Sequence, residues 1–439
     1  MSRVLVVGLG VTGEAVVRHC AATGDDVTVV EDAPGGGGYR ERLEAAVSAG
    51  AEVVERADSD RLAELVRACD LLVPSPGVTE RHPAVTIARQ TGVAVRAEVD
   101  LAAELAAARG KPLVAVTGTN GKTTVTTLIS SMLEESGVAA LAAGNIGVAL
   151  LDAAAAADTD ARVLVAEVSS FQLAFTTEAF RPHVAVLLNV APDHLDWHGS
   201  FEAYASAKAR VFAHQRPDDV LVFNRDDEVA SRLAADAPSR LIPFSVDDGA
   251  FRIEDLPLTA SHDRANAFAA AAAASEVGAT TDGITRALRA YPRLHHRVAR
   301  VGNAGGVQYY DDSKATNPHA TLSAVRGFES RDGRVVLIAG GRNKGLDLSG
   351  LRELAPRVRG VIAIGEAAAE VESAFTGAAP VARAESMRDA VVAAARRAQP
   401  GDVVLLSPAC ASFDWYPSYA ARGDDFAREV ARLSERGVA

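Results

Sequence analysis

A glycine-rich segment directly follows a short apolar run at VAVTGTNGKTT, residues 114–124. The run Leu113–Val116 predicts a buried strand, and helical spacing from Thr123 onward places the glycines and Lys122 in a strand-to-helix turn. Backbone N–H groups at such a helix start bind phosphate oxygens, and the lysine contacts the terminal phosphates. Val116 stands where the standard pattern has its first glycine. Even so, the segment favours a nucleotide-binding P-loop rather than an ordinary strand-to-helix turn.

A second glycine motif lies near the start of the sequence. An apolar run leads into GLGVTG, residues 8–13, then into a helical stretch and a strand that ends at Glu31 and Asp32. Glycines in this spacing let the backbone approach phosphates, and an acid ~20 residues later binds a ribose. The motif is compatible with NAD or FAD, and equally with another phosphorylated ligand in a Rossmann-like lobe. Residues predicted to face that ligand are Val11, Thr12, Ser75, Pro76 and Gly77.

Composition narrows the class of protein. A chain of 439 residues with 48% hydrophobic residues predicts two to four domains with large cores. The net charge of -12 argues against a general nucleic-acid or acidic-membrane binder. Apolar runs are too short for a membrane span, and we expect no signal peptide. Three widely spaced cysteines are expected to be buried thiols of a reducing cytoplasm.

Lysine is scarce, which makes each lysine informative. Only five of the 45 basic residues are lysines, so arginine stands almost everywhere that a positive charge alone is needed. An amine that can lose its proton and react is what a guanidinium cannot imitate. A specific role is therefore favoured over chance survival for every lysine except the one that precedes the P-loop strand. The five are Lys111, Lys122, Lys208, Lys314 and Lys344.

Acidic and histidine side chains near the P-loop predict a metal site. An apolar strand carries Glu167 into AEVSSFQL. An acid at the end of a strand beside a P-loop is the usual position of a Mg²⁺ ligand, although such an acid can also face water. After a predicted strand over 184–190, Asp193, His194, Asp196 and His198 offer an alternative transition-metal cluster. The P-loop favours a hard cation, with His194 near Mg²⁺ and substrate.

These motifs, taken in order, resemble those of the Mur ligases. GTNGKTT, GNIG, EVSSFQL, LNVAPDHLD, ASAK, HHR, DDSKATN, GGRNKG and SPACASFD follow the order of that family, from GLGVTG to RGDDF. DSKATN with SPACAS indicates the branch that adds glutamate to UDP-N-acetylmuramoyl-L-alanine. The resemblance implies three α/β domains: a Rossmann-like domain at 1–96 for the UDP-substrate, a central P-loop ATPase-type domain with a parallel or mixed sheet at 97–297, and a Rossmann-like glutamate-binding domain at 298–439.

The resemblance also implies a mechanism. ATP phosphorylates the substrate carboxylate to an acyl phosphate, the glutamate amine attacks, and phosphate leaves a new amide. Two Mg²⁺ sites are implied, together with a Lys208 carbamylated by CO₂ to an anionic ligand. Carbamylation needs a neutral amine, which arginine cannot supply.

The implied site residues fall into five groups. Catalytic residues are Lys122, Glu167, His194, Lys208 and Lys314. ATP-binding residues are Gly118, Thr119, Asn120, Gly121, Lys122, Thr123, Thr124, Asn266, Arg297 and Asp312. UDP-substrate residues are Val11, Thr12, Asp32, Ser75, Pro76, Gly77, Asn145 and His194. Glutamate-binding residues are Thr316, Lys344, Ser412 and Tyr419, and metal ligands are Thr123, Glu167, His194 and Lys208.

Three departures from the family pattern leave alternatives open. His295 replaces a proline, Ala33 and Pro34 follow Asp32, and the segment FDWYPSY, which ends at Tyr419, differs from the family pattern. The last departure concerns glutamate chirality: we expect D-glutamate, with an L-glutamate-adding relative as the alternative. Another Mur or folylpolyglutamate-type ligase and a non-catalytic UDP-sugar or ATP-binding paralogue also remain open. The expected enzyme is a cytoplasmic monomer.

Overall fold

Three sheets follow one another along the chain. The computed structural model describes residues 1–156, 160–246, 261–291, 295–328 and 333–435. These residues form two compact units, one from 1–190, 202–256 and 264–290, and one from 191–201, 257–263 and 291–439. The first unit holds two sheets and the second holds one. The predicted three-part α/β architecture is confirmed, whereas the exact domain limits stay a prediction.

The first sheet has five parallel strands in the order β3-β2-β1-β4-β5. The strands are β1 Arg3–Val7, β2 Asp26–Glu31, β3 Glu52–Glu55, β4 Leu71–Pro74 and β5 Ala94–Val95. The helices are α1 Val11–Thr23, α2 Tyr39–Ser48, α3 Ser59–Ala68, α4 Pro83–Thr91 and α5 Glu98–Ala108. Strand order reverses between β1 and β4. The loops that follow these two strands therefore meet at a crevice, where ligands bind in such sheets.

The second sheet has six parallel strands in the order β11-β10-β9-β6-β8-β7. The strands are β6 Leu113–Thr117, β7 Ala140–Gly144, β8 Val163–Glu167, β9 Val184–Leu187, β10 Val220–Asn224 and β11 Arg240–Phe244. The helices are α6 Lys122–Glu135, α7 Leu150–Ala155, α8 Ser170–Leu173, α10 Phe201–Ala209, α11 Glu228–Ala234, α12 Ser261–Glu276 and α13 Thr281–Ala290; α9 Leu195–His198 belongs to the second unit. Strands β6, β8, β9 and β10 are buried along almost their whole length, as is typical of a parallel sheet covered on both faces, whereas the edge strand β11 is largely exposed. The carboxyl ends of β8, β6 and β9 lie side by side.

The third sheet has six strands in the order β12-β13-β17-β14-β15-β16. The strands are β12 Ala299–Ala304, β13 Val307–Asp311, β14 Val335–Gly340, β15 Val358–Ile364, β16 Val381–Arg383 and β17 Val403–Leu406. The helices are α14 Pro318–Arg326, α15 Ala368–Phe375, α16 Met387–Arg397 and α17 Tyr419–Glu435, with a 3₁₀ helix at Ser349–Leu354. The predicted parallel pairing holds for β13 to β17, but β12 is antiparallel to β13. The sheet is therefore mixed.

The structure describes the three cysteines and the strand predicted at 184–190. All three cysteines are buried and unpaired. The strand expected at 184–190 ends at Leu187, because the chain turns at Asn189 to hydrogen-bond the neighbouring loop. Across the described ranges, no helix has the length and apolar content to cross a membrane.

Candidate active site

The loop between β6 and α6 is a P-loop in geometry. Gly118 and Gly121 have φ values of 158° and 90°, in the region that favours glycine. A Cβ on Gly118 would lie 2.9 Å from the side chain of Leu188, and one on Gly121 would lie 2.5 Å from Asn266 Oδ1. Lys122 Nζ donates to the carbonyl oxygens of Gly118 at 2.8 Å and Thr119 at 3.1 Å. The loop is thus tightly curled, with the lysine amine folded over it.

Two residues that the sequence interpretation missed hold this loop in place. Asn189, just after β9, accepts from Asn120 N at 2.8 Å and donates to Asn120 O at 3.0 Å, and its own carbonyl accepts from Thr119 N. The hydroxyls of Thr119 and Tyr204 are hydrogen-bonded at 3.0 Å. Asn189 lies within LNVAPDHLD, and Tyr204 directly precedes ASAK, so the available signal was their position in or beside these motifs.

Lys208 is buried against the P-loop. Its side chain is on α10 and the residue is 1% exposed. Nζ donates a 2.8 Å hydrogen bond to Gly118 O and lies 4.6 Å from the centre of the Tyr204 ring. Lys208 is therefore not a solvated surface lysine. The structure brings Gly118, Lys122 and Lys208 together at one carbonyl oxygen.

Glu167 ends β8 beside the P-loop strand and is 3% exposed. Its Oε1 accepts from Asn145 Nδ2 at 2.9 Å, and Asn145 N donates to Glu167 O. Oε2 is buried with no hydrogen-bond partner among the described residues. A buried, half-unpaired carboxylate is costly unless a cation completes its shell. Glu167 therefore does not face water, and its donor chemistry fits a hard cation.

Asn266 and the first-turn threonines complete the loop's surroundings in the first unit. Thr123 and Thr124 are the second and third residues of α6, where helix N–H groups have no intrahelical acceptor. Asn266, on α12, is 8% exposed, and its side chain lies where a Cβ on Gly121 would be. Glycine is therefore the only residue type that fits at position 121 without displacing Asn266.

The GLGVTG loop is held by side chains that hydrogen-bond to its backbone. Leu9 N donates to Glu31 Oε2 at 2.7 Å, and Ser75 Oγ donates to Gly8 O at 2.7 Å. Glu31 thus binds the loop backbone itself, while Asp32 Oδ2 is hydrogen-bonded to His82 Nε2 at 2.8 Å. His82 was not predicted from the sequence.

The remaining residues of this lobe flank the same crevice. Val11 and Thr12 begin α1, and Val11 is 60% exposed. Pro76 and Gly77 follow Ser75 at the end of β4, with Gly77 exposed. The predicted group is therefore gathered at the point where strand order reverses.

His194 belongs to the second unit, in a group centred on Asp193. Asp193 Oδ1 contacts Lys344 Nζ at 2.5 Å, and Oδ2 accepts from Asn317 Nδ2 at 3.1 Å. His194 Nε2 lies 3.7 Å from Asp193 Oδ2. Burial raises the pKa of Asp193, but the charges of Lys344 and His194 outweigh burial and hold that pKa below its usual range.

The alternative transition-metal cluster does not form. His198 and Asp196 lie on the short helix α9, which begins after His194 in a left-handed conformation. Within the part of the chain that the structure describes, no three His, Cys, Asp or Glu side chains converge as metal ligands.

Asp312 is buried at the end of β13. Its Oδ2 is hydrogen-bonded to Ser407 Oγ at 2.7 Å, and its backbone N donates to Leu406 O. Burial raises the pKa of Asp312 to about 7, against the opposing effects of Ser407 and the Arg297 charge. Asp312 and Arg297 therefore interact electrostatically.

The DSKATN and SPACAS segments are joined by a residue that the sequence interpretation did not single out. Arg422, on α17, is 1% exposed and donates to Ser313 O and Oγ at 2.8 and 2.9 Å. Its Nη1 also donates to Cys410 O and Ala411 O at 3.1 and 3.2 Å. Burial lowers the pKa of Arg422 to about 10. Its position within RGDDF was the available signal.

Side chains predicted to handle glutamate flank this junction. Lys314 Nζ lies 5.3 Å from the centre of the Tyr419 ring, close enough for a cation–π interaction. Ser412 is 2% exposed, immediately after Ala411, and Thr316 is half-buried between Ala315 and Asn317. Lys314, Tyr419 and Ser412 are thus carried by segments that Arg422 holds together.

The fold and the P-loop define a class of phosphate-binding α/β proteins with a second, dinucleotide-like lobe. Comparison with known families narrows this class. Three domain families match the chain, in this order: "Mur ligase MurD-like, N-terminal domain" at residues 2–97, "Mur ligase middle domain" at residues 116–278, and "Mur ligase, glutamate ligase domain" at residues 296–410. The chain belongs to the Mur ligase family.

Individual relatives match over nearly the whole chain. A UDP-N-acetylmuramoylalanine--D-glutamate ligase from Desulfosudis oleivorans is 40% identical, with 99% of this chain and 97% of the relative covered. One from Frankia casuarinae is 42% identical, with 97% and 93% covered. The crystal structure of MurF ligase from Thermotoga maritima in complex with ADP has a TM-score of 0.61 at 17% identity, with 94% and 95% covered. That last likeness concerns the fold.

Proposed function

We propose that this chain is an ATP-dependent ligase that adds D-glutamate to UDP-N-acetylmuramoyl-L-alanine, in the cytoplasm and as a monomer. The identity of 40% and 42% to relatives named for this activity supports the substrate pair. The observation that carries the chemistry is the hydrogen bond from buried Lys208 Nζ to the P-loop carbonyl of Gly118. A module that only binds a nucleotide has no need of a second, buried lysine at that loop. The domains would be 1–96, 97–297 and 298–439.

The P-loop would bind the phosphates of ATP. The segment from Gly118 to Thr124 offers backbone N–H groups at a helix start, and Lys122 supplies a compact positive charge. The tight curl at the two glycines supports this role, because side chains there would fill the space above the loop. Asn266, Arg297 and Asp312 would contact the rest of the ATP molecule.

Magnesium would be held by oxygen and nitrogen ligands from Thr123, Glu167, His194 and a carbamylated Lys208. The unpaired, buried Oε2 of Glu167 supports this assignment. Carbamylation converts the lysine amine into an anion, which suits a hard cation better than an ammonium does. Bound Mg²⁺ would neutralise the negative charge that builds up during phosphoryl transfer.

The first sheet would bind the UDP end of the substrate. Val11, Thr12, Asp32, Ser75, Pro76 and Gly77 would surround it, with Asn145 and His194 further along. The geometry supports different roles for these residues. Ser75 Oγ is already hydrogen-bonded to Gly8 O, so this serine would shape the loop. The exposed start of α1 would offer its N–H groups to the diphosphate.

The second unit would bind glutamate through Thr316, Lys344, Ser412 and Tyr419. Glutamate carries two carboxylates, which suit a lysine and hydroxyl donors. Lys344 is held by Asp193 and Lys314 lies over the Tyr419 ring, so both amines have fixed positions. Lys314 would lie beside the reacting carboxyl group.

The reaction would proceed in two balanced steps. An oxygen of the alanyl carboxylate attacks the γ-phosphorus, the bond to ADP breaks, and an acyl phosphate forms. In the second step the glutamate nitrogen attacks the acyl carbon and loses a proton. The bond between the acyl carbon and the phosphate oxygen breaks, and inorganic phosphate leaves. Positioning and charge neutralisation supply most of the catalysis in such transfers.

Phosphate release from the full-length chain tests the proposal. The assay contains ATP, Mg²⁺, UDP-N-acetylmuramoyl-L-alanine and either D- or L-glutamate, with Lys122→Ala as the inactive control and Lys111→Ala as a lysine control. We expect the wild type and Lys111→Ala to release phosphate with D-glutamate but not with L-glutamate. Lys122→Ala should release none with either isomer. Release only with L-glutamate would replace the amino acid in the proposal. No release with either isomer would leave a non-catalytic paralogue or a ligase for another substrate.

A further inference from the structure

Arg297 lies between two residues with unusual backbone conformations. His296 and Val298 have φ values of 60° and 46°, in the left-handed region. Such values are uncommon outside glycine and a genuine outlier for a β-branched residue such as valine. Each such conformation is energetically unfavourable and persists only where the surroundings enforce it. Something must therefore hold this loop on both sides of Arg297.

Asp311, the last residue of β13, restrains the residue before Arg297. Its Oδ2 lies 2.6 Å from His296 Nδ1, and its Oδ1 accepts from Ser313 N at 2.9 Å. On the other side of Arg297, the backbone N–H of Val298 lowers the pKa of Asp312 and therefore lies near that carboxyl group. The two residues that flank Arg297 thus lie beside consecutive aspartates.

The His296–Asp311 pair is enclosed from other directions. Asp311 is 2% exposed, and a Cβ added to Gly423 on α17 would overlap both His296 Nδ1 and Asp311 Oδ2. The Tyr419 ring stands edge-on to the His296 ring, with 6.1 Å between centroids. His296 O also accepts from Lys314 N at 3.2 Å. On the far side of the ring, His296 Nε2 lies 3.8 Å from Asp424 Oδ1. These contacts surround the imidazole and restrain the backbone of its own residue.

The guanidinium of Arg297 is incompletely satisfied. Its Nε is buried and has no hydrogen-bond partner among the described residues. Its charge lowers the pKa of Asp312, against the larger effect of burial, so the two side chains interact electrostatically. A buried, unpaired N–H on a cation is suited to an anionic ligand, because a buried donor left without an acceptor is energetically unfavourable.

We propose that Asp311 is a positioning residue for Arg297: by holding the His296 imidazole, it enforces the strained loop that aims the guanidinium at the phosphates of ATP. The inference rests on the proposed role of Arg297 in binding ATP. Asp311 contacts neither substrate nor ATP in this scheme, and it acts through His296 alone.

The experiment measures the affinity of the full-length chain for a non-hydrolysable ATP analogue with Mg²⁺, together with KM for ATP and for glutamate. For Asp311→Ala we expect about tenfold weaker analogue binding and a similar rise in KM for ATP, comparable with the loss of one charge-assisted hydrogen bond. KM for glutamate should change less than twofold. Asp311→Asn keeps an acceptor for His296 and should recover most of the affinity.

A double-mutant cycle separates positioning from general destabilisation. In an Arg297→Ala background, Asp311→Ala should weaken analogue binding no further, because its effect passes through Arg297. Asp402→Ala is the matched control, since Asp402 is a buried acid of the same sheet that pairs with Arg359 away from this loop. It should lower the unfolding temperature without a selective loss of analogue affinity.

The outcomes distinguish the inference from the proposed function. Weaker binding in Arg297→Ala but not in Asp311→Ala, or additive losses in the cycle, would overturn the role of Asp311. Unchanged binding in Arg297→Ala would instead remove the assigned role of Arg297. If Asp311→Ala does not fold, His296→Asn gives the same reading, because asparagine tolerates the left-handed backbone but lacks the ring contact.

Discussion

The side-chain amines of Lys208 and Lys122 both donate 2.8 Å hydrogen bonds to the carbonyl oxygen of Gly118. Two ammonium groups about 5 Å apart repel each other by about 3 kcal/mol at an effective dielectric constant of about 20. Converting one amine into a carbamate replaces this repulsion by attraction. Lys208 is the buried member of the pair, whereas Lys122 is only half-buried and starts α6. If the proposed carbamate forms, the pair therefore favours Lys208 over Lys122 as the lysine that carries it.

Replacing Lys208 tests the carbamate directly. Lys208→Ala should lower kcat at least 1,000-fold, an effect of about 4 kcal/mol, because an anionic metal ligand would be lost. Acetate or formate added to this variant should restore part of the activity by occupying the vacated space. Lys208→Arg should stay inactive, since a guanidinium cannot be carbamylated. Steady-state rates of Lys208→Ala, measured with and without acetate or formate in the assay, would show the rescue.

Lys111→Ala serves as the matched control, with a rate expected within about twofold of the wild type, because surface substitutions away from special features usually have small effects. Full activity of Lys208→Arg would contradict the carbamate. Mass spectrometry of the intact protein under bicarbonate gives an independent measurement, although the adduct must be trapped chemically before analysis.

The sequence identified the parts of the P-loop but not their supports. Gly118, Lys122, Glu167 and Lys208 are recognisable because each stands in a short local pattern. Asn189 holds the loop from 69 residues away along the chain, and such a contact depends on strand order, which local spacing does not encode. The same reasoning explains why the His82 contact to Asp32 was missed.

The antiparallel strand β12 was missed for a different reason. Its sequence, ARVGNA, alternates poorly between buried and exposed positions, and much of it is partly exposed at the sheet edge. Edge strands have weak apolar patterns because only one side of them is paired. The strands inside the sheets were predicted because continuous Val, Ile, Leu and Ala runs mark burial on both faces.

Replacing Glu167 tests the cation assignment. Glu167→Gln keeps the size of the side chain and an acceptor for Asn145, but removes the charge. We expect a loss of kcat of about 100-fold and a shift of the half-saturating Mg²⁺ concentration upward by about tenfold, within the range seen when metal-site residues are altered. The measurement is the reaction rate as a function of Mg²⁺ at saturating ATP.

Glu178→Gln, an exposed acid of the same unit, is the control and should show the wild-type Mg²⁺ dependence. A Glu167→Gln variant with an unaltered Mg²⁺ dependence would show that this carboxylate is structural. Its unpaired Oε2 would then need another explanation.

Glu98 predicts a specific dependence of stability on pH. This residue of α5 is 2% exposed, and its Oε1 accepts from Leu151 N at 2.6 Å at the start of α7, a helix without a side-chain cap of its own. Burial raises the pKa of Glu98 to about 7 from 4.5, against the opposing backbone N–H groups. The folded state therefore binds the proton more tightly than the unfolded state does.

The sign follows from that difference. The contribution of Glu98 to stability is fully present below pH 4.5 and is lost as pH rises through about 7. Glu98→Gln lacks this loss, so its unfolding free energy relative to wild type should rise by about 2–3 kcal/mol between pH 5 and pH 8. Urea unfolding at both pH values measures the difference. The exposed Glu44→Gln should show no such trend, and a pH-independent difference for Glu98→Gln would mean that the carboxyl group is ionised in the folded state throughout.

Arg422 should be necessary for both stability and glutamate binding. Its guanidinium joins Ser313 to Cys410 and Ala411 by four buried hydrogen bonds, and of these backbone carbonyls Ala411 O also accepts from Arg342 N. Arg422→Leu should lower the unfolding free energy by about 3–5 kcal/mol, because buried polar groups lose their partner. In the folded fraction KM for glutamate should rise at least tenfold, since Ser412 and Lys314 adjoin the released segments, while KM for ATP changes less. Arg422→Lys should rescue little, because one ammonium cannot match a planar fork of donors.

Arg428→Ala, on the exposed face of the same helix, should change stability by less than about 0.5 kcal/mol. Equal stability of Arg422→Leu and Arg428→Ala would show that the two segments hold their positions without the arginine.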